Sequence, residues 1–216
     1  GRLNEDSLTL LKECGISINN GKDQLMAQAS NFRLDVLYLR NSDIPQYVRD
    51  GVADIAIIGD NTEKEKKTGI RHVLDLGFSR CRLSIAVPKN VDFQDISYLQ
   101  GKKIATSYPN SLKDFLTEND IEAEIHEISG SVEIAPNIGL ADAICDLVSS
   151  GSTLFKNGLK EVYKIFESQA ILVANSGLCG EKQELLAQLV FRIKAVLAAK
   201  YNKYILLNAP EKALDR

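Results

Sequence analysis

The chain has 216 residues, of which 44% are hydrophobic and 25% are charged, the composition of an ordinary globular protein. Its formal net charge is −3 with both signs interspersed, so it carries no basic footprint for nucleic acid. The longest apolar runs are far too short to span a membrane. We therefore expect no nucleic-acid or membrane partner, and a chain of one large or two small domains.

The cysteines and histidines form no recognisable site. The four cysteines are widely separated, without a CxxC pair: Cys14, Cys81, Cys145 and Cys179. This spacing predicts reduced thiols in a cytoplasmic protein rather than disulfides or a zinc site. Neither of the two histidines lies in a catalytic or metal-binding motif, which makes a Ser-His-Asp or Cys-His mechanism an unfavoured hypothesis.

The first half of the chain predicts alternating helices and strands. An amphipathic helix is expected over Leu3–Cys14. A strand over Leu34–Leu39, a helix beginning within Asn41–Pro45 and a strand over Ala53–Ile58 have the spacing of a βαβ unit. The charged run Glu63–Arg71 is interpreted as a solvated loop or helix face.

The second half continues this rhythm. Apolar runs of strand length predict the strands Arg82–Val87, Lys103–Thr106, Ile121–Ile128, Ala143–Val148, Lys164–Ala174 and Tyr204–Leu207. Helical spacing predicts the helices Ser111–Glu118, Val132–Leu140, Leu154–Val162 and Glu181–Lys200.

This alternation predicts an α/β fold with mostly parallel sheets. Two such runs predict two lobes with a central cleft, a favoured place for ligands. Lobe I is expected to comprise residues 1–88 and 177–202, and lobe II residues 89–176. The pattern Gly51-x-x-Asp54-Ile-Ala-Ile57 resembles that of the bilobal solute-binding fold, so the expected fold class is periplasmic-binding-protein-like, type II.

The strand Ala143–Val148 leads into the most informative stretch. Asp146 lies near its C-terminal end, where open α/β sheets bind ligands. The next five residues are small and rich in hydroxyls: Ser149, Ser150, Gly151, Ser152 and Thr153. Such a loop brings backbone N–H groups close to an anion, and a helix starting at Leu154 favours a phosphate. The alternative is an ordinary strand-to-helix turn with a Ser or Thr cap.

Other candidates each have a structural alternative. Asp60 follows Gly59 at the end of a strand and can reach the cleft. Glu133 is either a capping residue near a helix start or a ribose contact. Tyr108 either stacks on a base or packs in the interior. Four arginines near predicted element ends suit phosphates if the fold brings them together: Arg2, Arg40, Arg80 and Arg82.

The strand, acid and hydroxyl loop resemble the phosphoribosyl diphosphate (PRPP) signature of phosphoribosyltransferases. Common purine and pyrimidine members carry two adjacent acids, whereas here Cys145 precedes Asp146. Seven segments occur in the order seen in the ATP phosphoribosyltransferase family: Gly1–Leu3, Arg40–Pro45, Gly51–Gly59, Cys81–Ser84, Ile104–Pro109, Gly130–Pro136 and Gly139–Leu154.

The resemblance implies transfer of a phosphoribosyl group from PRPP to N1 of ATP, with Mg²⁺ held through the substrate diphosphate. The catalytic residues it implies are Arg2, Glu133 and Asp146. Those implied for PRPP binding are Asp142, Ser149, Ser150, Gly151, Ser152, Thr153 and Leu154. Those implied for ATP binding are Arg40, Asp43, Asp60, Arg80 and Tyr108.

The resemblance also bears on partners. The tail Lys203–Pro210 is similar to the long form of the family, so residues 203–216 are expected to begin a linker to a regulatory domain absent from this chain. A homo-oligomer is expected, hexameric in the long form, or a separate regulatory subunit in the short form. The rival hypotheses are a non-enzymatic bilobal solute- or effector-binding domain and an ordinary purine phosphoribosyltransferase.

Overall fold

The computed structural model describes residues 1–19 and 24–201, and the chain forms two compact units. One unit consists of Gly1–Asp6 and Leu39–Leu178, and the other of Ser7–Tyr38 and the chain from Cys179 onward. The lobe boundaries expected at residues 88 and 177 stay a prediction. The predicted strand Tyr204–Leu207 and the predicted linker lie outside the described residues.

Helices and strands alternate along most of the described chain. The helices are α1 (Arg2–Glu13), α2 (Ile44–Arg49), α3 (Asp60–Lys66), α4 (Pro109–Glu118), α5 (Ser152–Lys156) and α6 (Gly180–Tyr201). The strands are β1 (Met26–Gln28), β2 (Asp35–Leu37), β3 (Ile55–Gly59), β4 (Arg71–Asp75), β5 (Cys81–Pro88), β6 (Lys103–Thr106), β7 (Glu124–Glu127), β8 (Ala143–Val148), β9 (Leu159–Ser168) and β10 (Ala170–Ala174). Short 3₁₀ helices cover Ile96–Leu99 and Val132–Ile134.

The larger unit is built on a five-stranded sheet with the order β7-β6-β8-β5-β9. β6 runs parallel to β7 and β8, whereas β5 is antiparallel to β8 and β9. Because β6 and β8 are parallel, their C-terminal ends meet at one edge of the sheet. The residues that follow Thr106 therefore lie beside those that follow Cys145, its register partner.

Both faces of this sheet are covered by apolar side chains, because β5 and β8 alternate between two cores. Leu83 and Ile85 pack with Leu112 of α4 on one face. Ala86 and Ile144 pack with Leu154 of α5 on the other. A sheet buried on both faces needs the nearly continuous apolar runs from which these strands were predicted.

A three-stranded antiparallel sheet, β3-β10-β4, completes the larger unit. Only Gln169 separates β9 from β10, so the chain passes directly from one sheet into the other. The single predicted strand Lys164–Ala174 is therefore two strands. Three polar residues, Glu167, Ser168 and Gln169, interrupt the apolar pattern at the crossing, but the apolar residues on both sides suit a buried strand and were predicted as one.

The smaller unit pairs β1 with β2 antiparallel, from Met26↔Leu37 to Gln28↔Asp35. Helix α6 buries Leu186, Leu189 and Ile193, the i, i+3, i+7 spacing of one helical face. Among the described residues, no helix combines the length and the apolar character that a membrane crossing requires.

The predicted strand directions need correction. Between the strands of residues 1–19 and 24–201, the two pairs made by β6 are parallel and the other five pairs are antiparallel. The predicted βαβ unit is also wrong, since β2 pairs with β1 and β3 pairs with β10. Buried strands carry the same apolar pattern in either direction, so hydrophobic periodicity cannot distinguish them.

The predicted helix Leu154–Val162 is much shorter. It is α5, which ends at Lys156. Gly158 then adopts a left-handed backbone conformation, with φ of +71°, which is typical of a residue just beyond a helix end. β9 begins at the next residue, Leu159. Strands β1 and β4 were not predicted, because both are short and mostly exposed.

Candidate active site

The hydroxyl-rich loop sits at the C-terminal end of β8, as predicted. Gly151 has φ of +78°, a left-handed conformation that glycine adopts without steric cost. The Oγ atoms of Ser150 and Ser152 lie 3.0 Å apart. The four hydroxyl side chains of residues 149–153 are exposed, whereas Leu154 is buried in the core. The loop thus presents its hydroxyls to solvent while Leu154 anchors α5.

Asp146 lies four residues into β8, in surroundings that oppose its charge. Burial raises the pKa of Asp146 from 3.8 to about 6, and the nearby carboxylate of Glu133 adds to the rise. A hydrogen bond from the backbone N–H of Leu147, 2.8 Å from Asp146 Oδ1, acts in the opposite direction. The structure therefore brings together two of the predicted catalytic residues, Glu133 and Asp146.

Tyr108 lies close to the same carboxylate. Burial raises the pKa of Tyr108 to about 12, with a further contribution from the charge of Asp146. Its hydroxyl accepts a hydrogen bond from Asn61 Nδ2 at 3.4 Å. Asn61, in α3, also accepts a hydrogen bond from the Ser168 hydroxyl at 2.9 Å. Tyr108 is thus held between β6 and α3 near Asp146.

A cavity of about 610 Å³ opens between residues of the two sheets of the larger unit. Its lining contains three predicted site residues, Asp60, Arg80 and Ser149. Asp60 forms an ion pair with Lys64 at 2.6 Å. The remaining lining residues are Asp75, Cys81, Arg82, Glu167, Ser168, Gln169 and Ile171. The volume falls within the range of small-molecule sites.

Four other predicted residues lie elsewhere or on open surface. Asp142 precedes β8, and its Oδ2 accepts a hydrogen bond from the backbone N–H of Lys103 at 2.9 Å. It lies about 13 Å along the strand from Asp146, at 3.3 Å per residue. Asp43 lines a separate cavity of about 370 Å³. Arg2 and Arg40 are exposed, in α1 and before α2.

The comparisons with known proteins are decisive for the family. A family model described as ATP phosphoribosyltransferase matches residues 40–195. The ATP phosphoribosyltransferase of Cytophaga hutchinsonii is 58% identical over 215 residues, which is 100% of this chain and 75% of that protein. The chain belongs to the ATP phosphoribosyltransferase family. The resemblance drawn from its motifs is confirmed.

Solved structures agree with this membership. The ATP phosphoribosyl transferase (HisG:HisZ) complex from Thermotoga maritima contains a chain that is 28% identical, with a TM-score of 0.79 over 92% of this chain and 96% of that one. A substrate-binding protein of an amino acid ABC transporter has a TM-score of 0.60 at 14% identity, over 92% and 82% of the two chains. At that identity the likeness concerns the fold alone. The predicted periplasmic-binding-protein-like α/β fold is confirmed.

Family membership also decides between the functional hypotheses. The chain is a transferase of the ATP phosphoribosyltransferase type, which joins the phosphoribosyl group of PRPP to ATP in histidine biosynthesis. The purine phosphoribosyltransferase and the non-enzymatic binding domain are therefore set aside. The likeness to solute-binding proteins reflects the shared architecture.

Two polar residues near the hydroxyl loop and Asp146, Ser84 and Glu161, were absent from the predicted site, and Arg82 was considered only as one of four arginines that suit phosphates. Arg82 and Ser84 of β5 both donate hydrogen bonds to Glu161 of β9. The sequence does carry a signal for Arg82 and Ser84, since they are polar residues alternating with apolar ones in a buried strand. Their partner lies 77 to 79 residues further along the chain, which local patterns cannot reveal.

Proposed function

We propose that the phosphoribosyl group is bound and transferred at the C-terminal end of β8. The observation that carries this proposal is a desolvated carboxylate, Asp146, beside an exposed loop of hydroxyls and a glycine in a left-handed conformation. PRPP carries both hydroxyls and phosphates on one ribose. The ribose hydroxyls match the carboxylate, and the phosphates match the loop.

The loop Ser149–Leu154 is proposed to hold the 5-phosphate. Its hydroxyl groups are exposed, and the first N–H groups of α5 have no partner within that helix. Gly151 allows the chain to turn closely around the anion without a side chain in the way. Backbone and hydroxyl donors of this kind bind phosphate without needing a lysine.

Asp146 and Glu133 are proposed to contact the ribose hydroxyls. Carboxylates accept hydrogen bonds from hydroxyl groups, and they favour the positive charge that develops at the anomeric carbon as the diphosphate departs. The incoming nucleophile is the adenine N1, so no protein nucleophile is needed. The contribution of the chain is to position the substrates and stabilise developing charge.

The ATP side is proposed to lie around the 610 Å³ cavity. Asp60 and Arg80 line it, and Tyr108, which packs against the apolar core, lies near Asp146. A guanidinium such as Arg80 suits a diphosphate or triphosphate. Arg2, Arg40 and Asp43 are assigned to this reaction by resemblance.

Mg²⁺ is proposed as the cofactor, carried by the substrate diphosphate. Mg²⁺ commonly keeps several waters and takes only one or two carboxylates together with substrate phosphates. Asp146 and Glu133 fit that requirement, because they are two neighbouring carboxylates whose negative charges repel each other and would be stabilised by a cation. A bound Mg²⁺ would neutralise charge on the leaving diphosphate.

The direct test is absorbance during incubation with ATP, PRPP and Mg²⁺, with pyrophosphatase present to remove the product. Alkylation at N1 changes the adenine chromophore, so we expect a PRPP-dependent rise in near-ultraviolet absorbance. The control omits PRPP. If PRPP binds to the folded chain but no absorbance change follows, transfer at this site by this chain alone is contradicted.

We also propose that the chain acts in the cytoplasm and assembles with other chains. The four cysteines are all unpaired thiols, as in proteins of reducing compartments. The similar Thermotoga maritima structure is a complex of two kinds of chain, which favours a separate regulatory subunit, whereas the resemblance to the long form favours a homo-oligomer. Light scattering would test this, and a monomer active alone would contradict it.

A further inference from the structure

Arg82 does not present a free guanidinium to the cavity that it lines. Its Nε and Nη2 atoms donate to Glu161 Oε1 and Oε2, both at 2.5 Å. Its Nη1 donates to the backbone carbonyl oxygen of Ser149 at 3.1 Å. The two paired side chains are only 31% and 25% exposed. Arg82 is therefore engaged by a two-pronged ion pair, a strong and directional contact, and by the first residue of the phosphate loop.

The contact with Ser149 determines the direction of a loop N–H. In a trans peptide, the C=O of one residue and the N–H of the next point in opposite directions. The described residues contain only trans peptides. With the Ser149 carbonyl held toward Arg82, the N–H of Ser150 is turned away from the guanidinium. Arg82 thus orients the N–H of Ser150, which can donate a hydrogen bond to a phosphate, while its own guanidinium is not available to the phosphate.

The same carboxylate also reaches the strand beside Asp146. Glu161 Oε1 accepts a hydrogen bond from the Ser84 hydroxyl at 2.8 Å, and Ser84 is only 1% exposed. Ser84 is the register partner of Asp146, so the two side chains stand on one face of the sheet as direct neighbours. Glu161 therefore connects the backbone of the loop with the residue next to Asp146.

We infer that Glu161 is a positioning residue for PRPP: it holds Arg82 against the phosphate loop and Ser84 beside Asp146. This inference rests on the proposed function, because those two places are where the phosphate and the ribose are proposed to bind. Hydrogen bonds from Arg82 lower the pKa of Glu161, which keeps it ionised at neutral pH. Its effect is exerted through its two partners.

The test is Glu161→Gln in the absorbance assay, with the Michaelis constants of both substrates measured. Gln keeps the side-chain shape but turns an N–H₂ group toward Arg82, so the two-pronged contact is lost. We expect the KM for PRPP to rise by about tenfold or more and the KM for ATP to change by less than about twofold. The matched control is Glu124→Gln, which removes an exposed partner of Lys103 in the same sheet and should change neither constant.

A double substitution distinguishes positioning from general damage. Arg82→Lys keeps the charge but loses the planar fork, so it should also raise the KM for PRPP. If Glu161 acts through Arg82, the double variant should be clearly less impaired than the product of the two single effects. If Glu161→Gln proves unstable in thermal unfolding, Ser84→Ala replaces it as the test. This milder change removes only the hydrogen bond from Ser84 to Glu161 and should raise the KM for PRPP by a smaller factor.

The outcomes separate this inference from the proposed function. Equal rises in both Michaelis constants, an unchanged KM for PRPP, or effects that multiply in the double variant would overturn the role of Glu161 while leaving transfer by the wild type intact. A wild-type chain that shows no PRPP-dependent turnover would instead count against the proposed function. In that case PRPP binding by calorimetry decides the inference: weaker binding by Glu161→Gln supports it, and equal binding overturns it.

Discussion

The two ends of β8 carry the same residue type in very different settings. Asp142, just before the strand, is exposed and accepts a hydrogen bond from the backbone N–H of Lys103. Asp146, near the other end, is largely desolvated and shares its surroundings with Glu133. The first carboxylate stabilises the start of a parallel strand pair. The second is kept in an unfavourable environment, which is a feature of functional sites.

The position of each aspartate along the strand decides its role. In open α/β sheets, ligands bind beyond the C-terminal ends of the strands. Asp146 lies at that edge with the hydroxyl loop, whereas Asp142 lies at the opposite edge beside the start of β6.

The largest expected effect is on the rate, from Asp146→Asn. Losing one charged contact that is made in the transition state should cost about 3 kcal/mol, or about a hundredfold in kcat/KM. The absorbance assay measures this directly. Activity within a few-fold of the wild type would remove Asp146 from the transfer step.

The same substitution should have the opposite effect on stability. The folded-state pKa of Asp146 lies above its ordinary value of 3.8, so folding favours the protonated form. Its stabilising contribution is complete below about pH 4 and is lost as the pH rises through about 6. At pH 7.5, Asp146→Asn should therefore increase the free energy of unfolding by about 1–3 kcal/mol.

Denaturant titrations at pH 7.5 and pH 4 would measure this gain, which should nearly vanish at the lower pH. A loss of stability at pH 7.5 would show that the carboxylate is well solvated or paired.

A smaller effect is expected from Gly151→Ala. The left-handed conformation of Gly151 costs about 1–2 kcal/mol for a residue with a side chain. If the loop relaxes to relieve that strain, the KM for PRPP should rise by about tenfold, since 1.4 kcal/mol corresponds to a factor of ten.

The control for this change is Gly101→Ala. Gly101 has φ of +69° with open space where a Cβ would stand, and it lies near the start of β6, away from the loop. The Gly101→Ala variant should lose about as much stability as Gly151→Ala and should keep the wild-type KM for PRPP. Equal changes in KM for the two variants would mean that the loop conformation is not what binds PRPP.

At the opposite end of β8, the effect should be on folding alone. Asp142→Ala removes one hydrogen bond to the backbone of Lys103 and should cost about 0.5–1.5 kcal/mol of stability. Its kcat/KM should remain near that of the wild type. Thermal unfolding and the absorbance assay together check both parts, and a large rise in the KM for PRPP would return Asp142 to the binding site.

Glu133→Gln should lower kcat/KM because a ribose contact is lost, and the smallest effect expected is the displacement of the pH profile that accompanies this loss. Because the charge of Glu133 contributes to the raised pKa of Asp146, its removal should lower that pKa. For the wild type, kcat/KM should fall as the pH drops through about 6, where Asp146 gains a proton. The variant's midpoint should lie at lower pH. A midpoint that stays in place would mean that another group titrates.

The sequence predicted the parts of the site that are local in the chain. A buried strand, an acid near its end and a loop of small hydroxyl residues are contiguous from Ala143 to Thr153, so composition and spacing were enough. The strands β3, β5, β6 and β8 were predicted for the same reason. Their directions were not, because a strand covered on both faces shows one apolar pattern whether it runs parallel or antiparallel.

What the sequence could not supply depends on distant residues meeting. Glu161 reaches Arg82 and Ser84 only because β9 pairs with β5. The proximity of Tyr108 to Asp146 depends on β6 and β8 being parallel neighbours. Asp142 was assigned to PRPP by resemblance, and its position became clear only when the structure placed it with Lys103.

The most direct test of transfer at the C-terminal end of β8 compares Asp142→Asn and Asp146→Asn side by side, in one absorbance assay with ATP, PRPP and Mg²⁺. The two changes remove the same charge from the two ends of one strand. We expect Asp142→Asn to retain nearly the wild-type kcat/KM and Asp146→Asn to be lower by about a hundredfold. Equal values for the two variants would contradict transfer at the C-terminal end of β8.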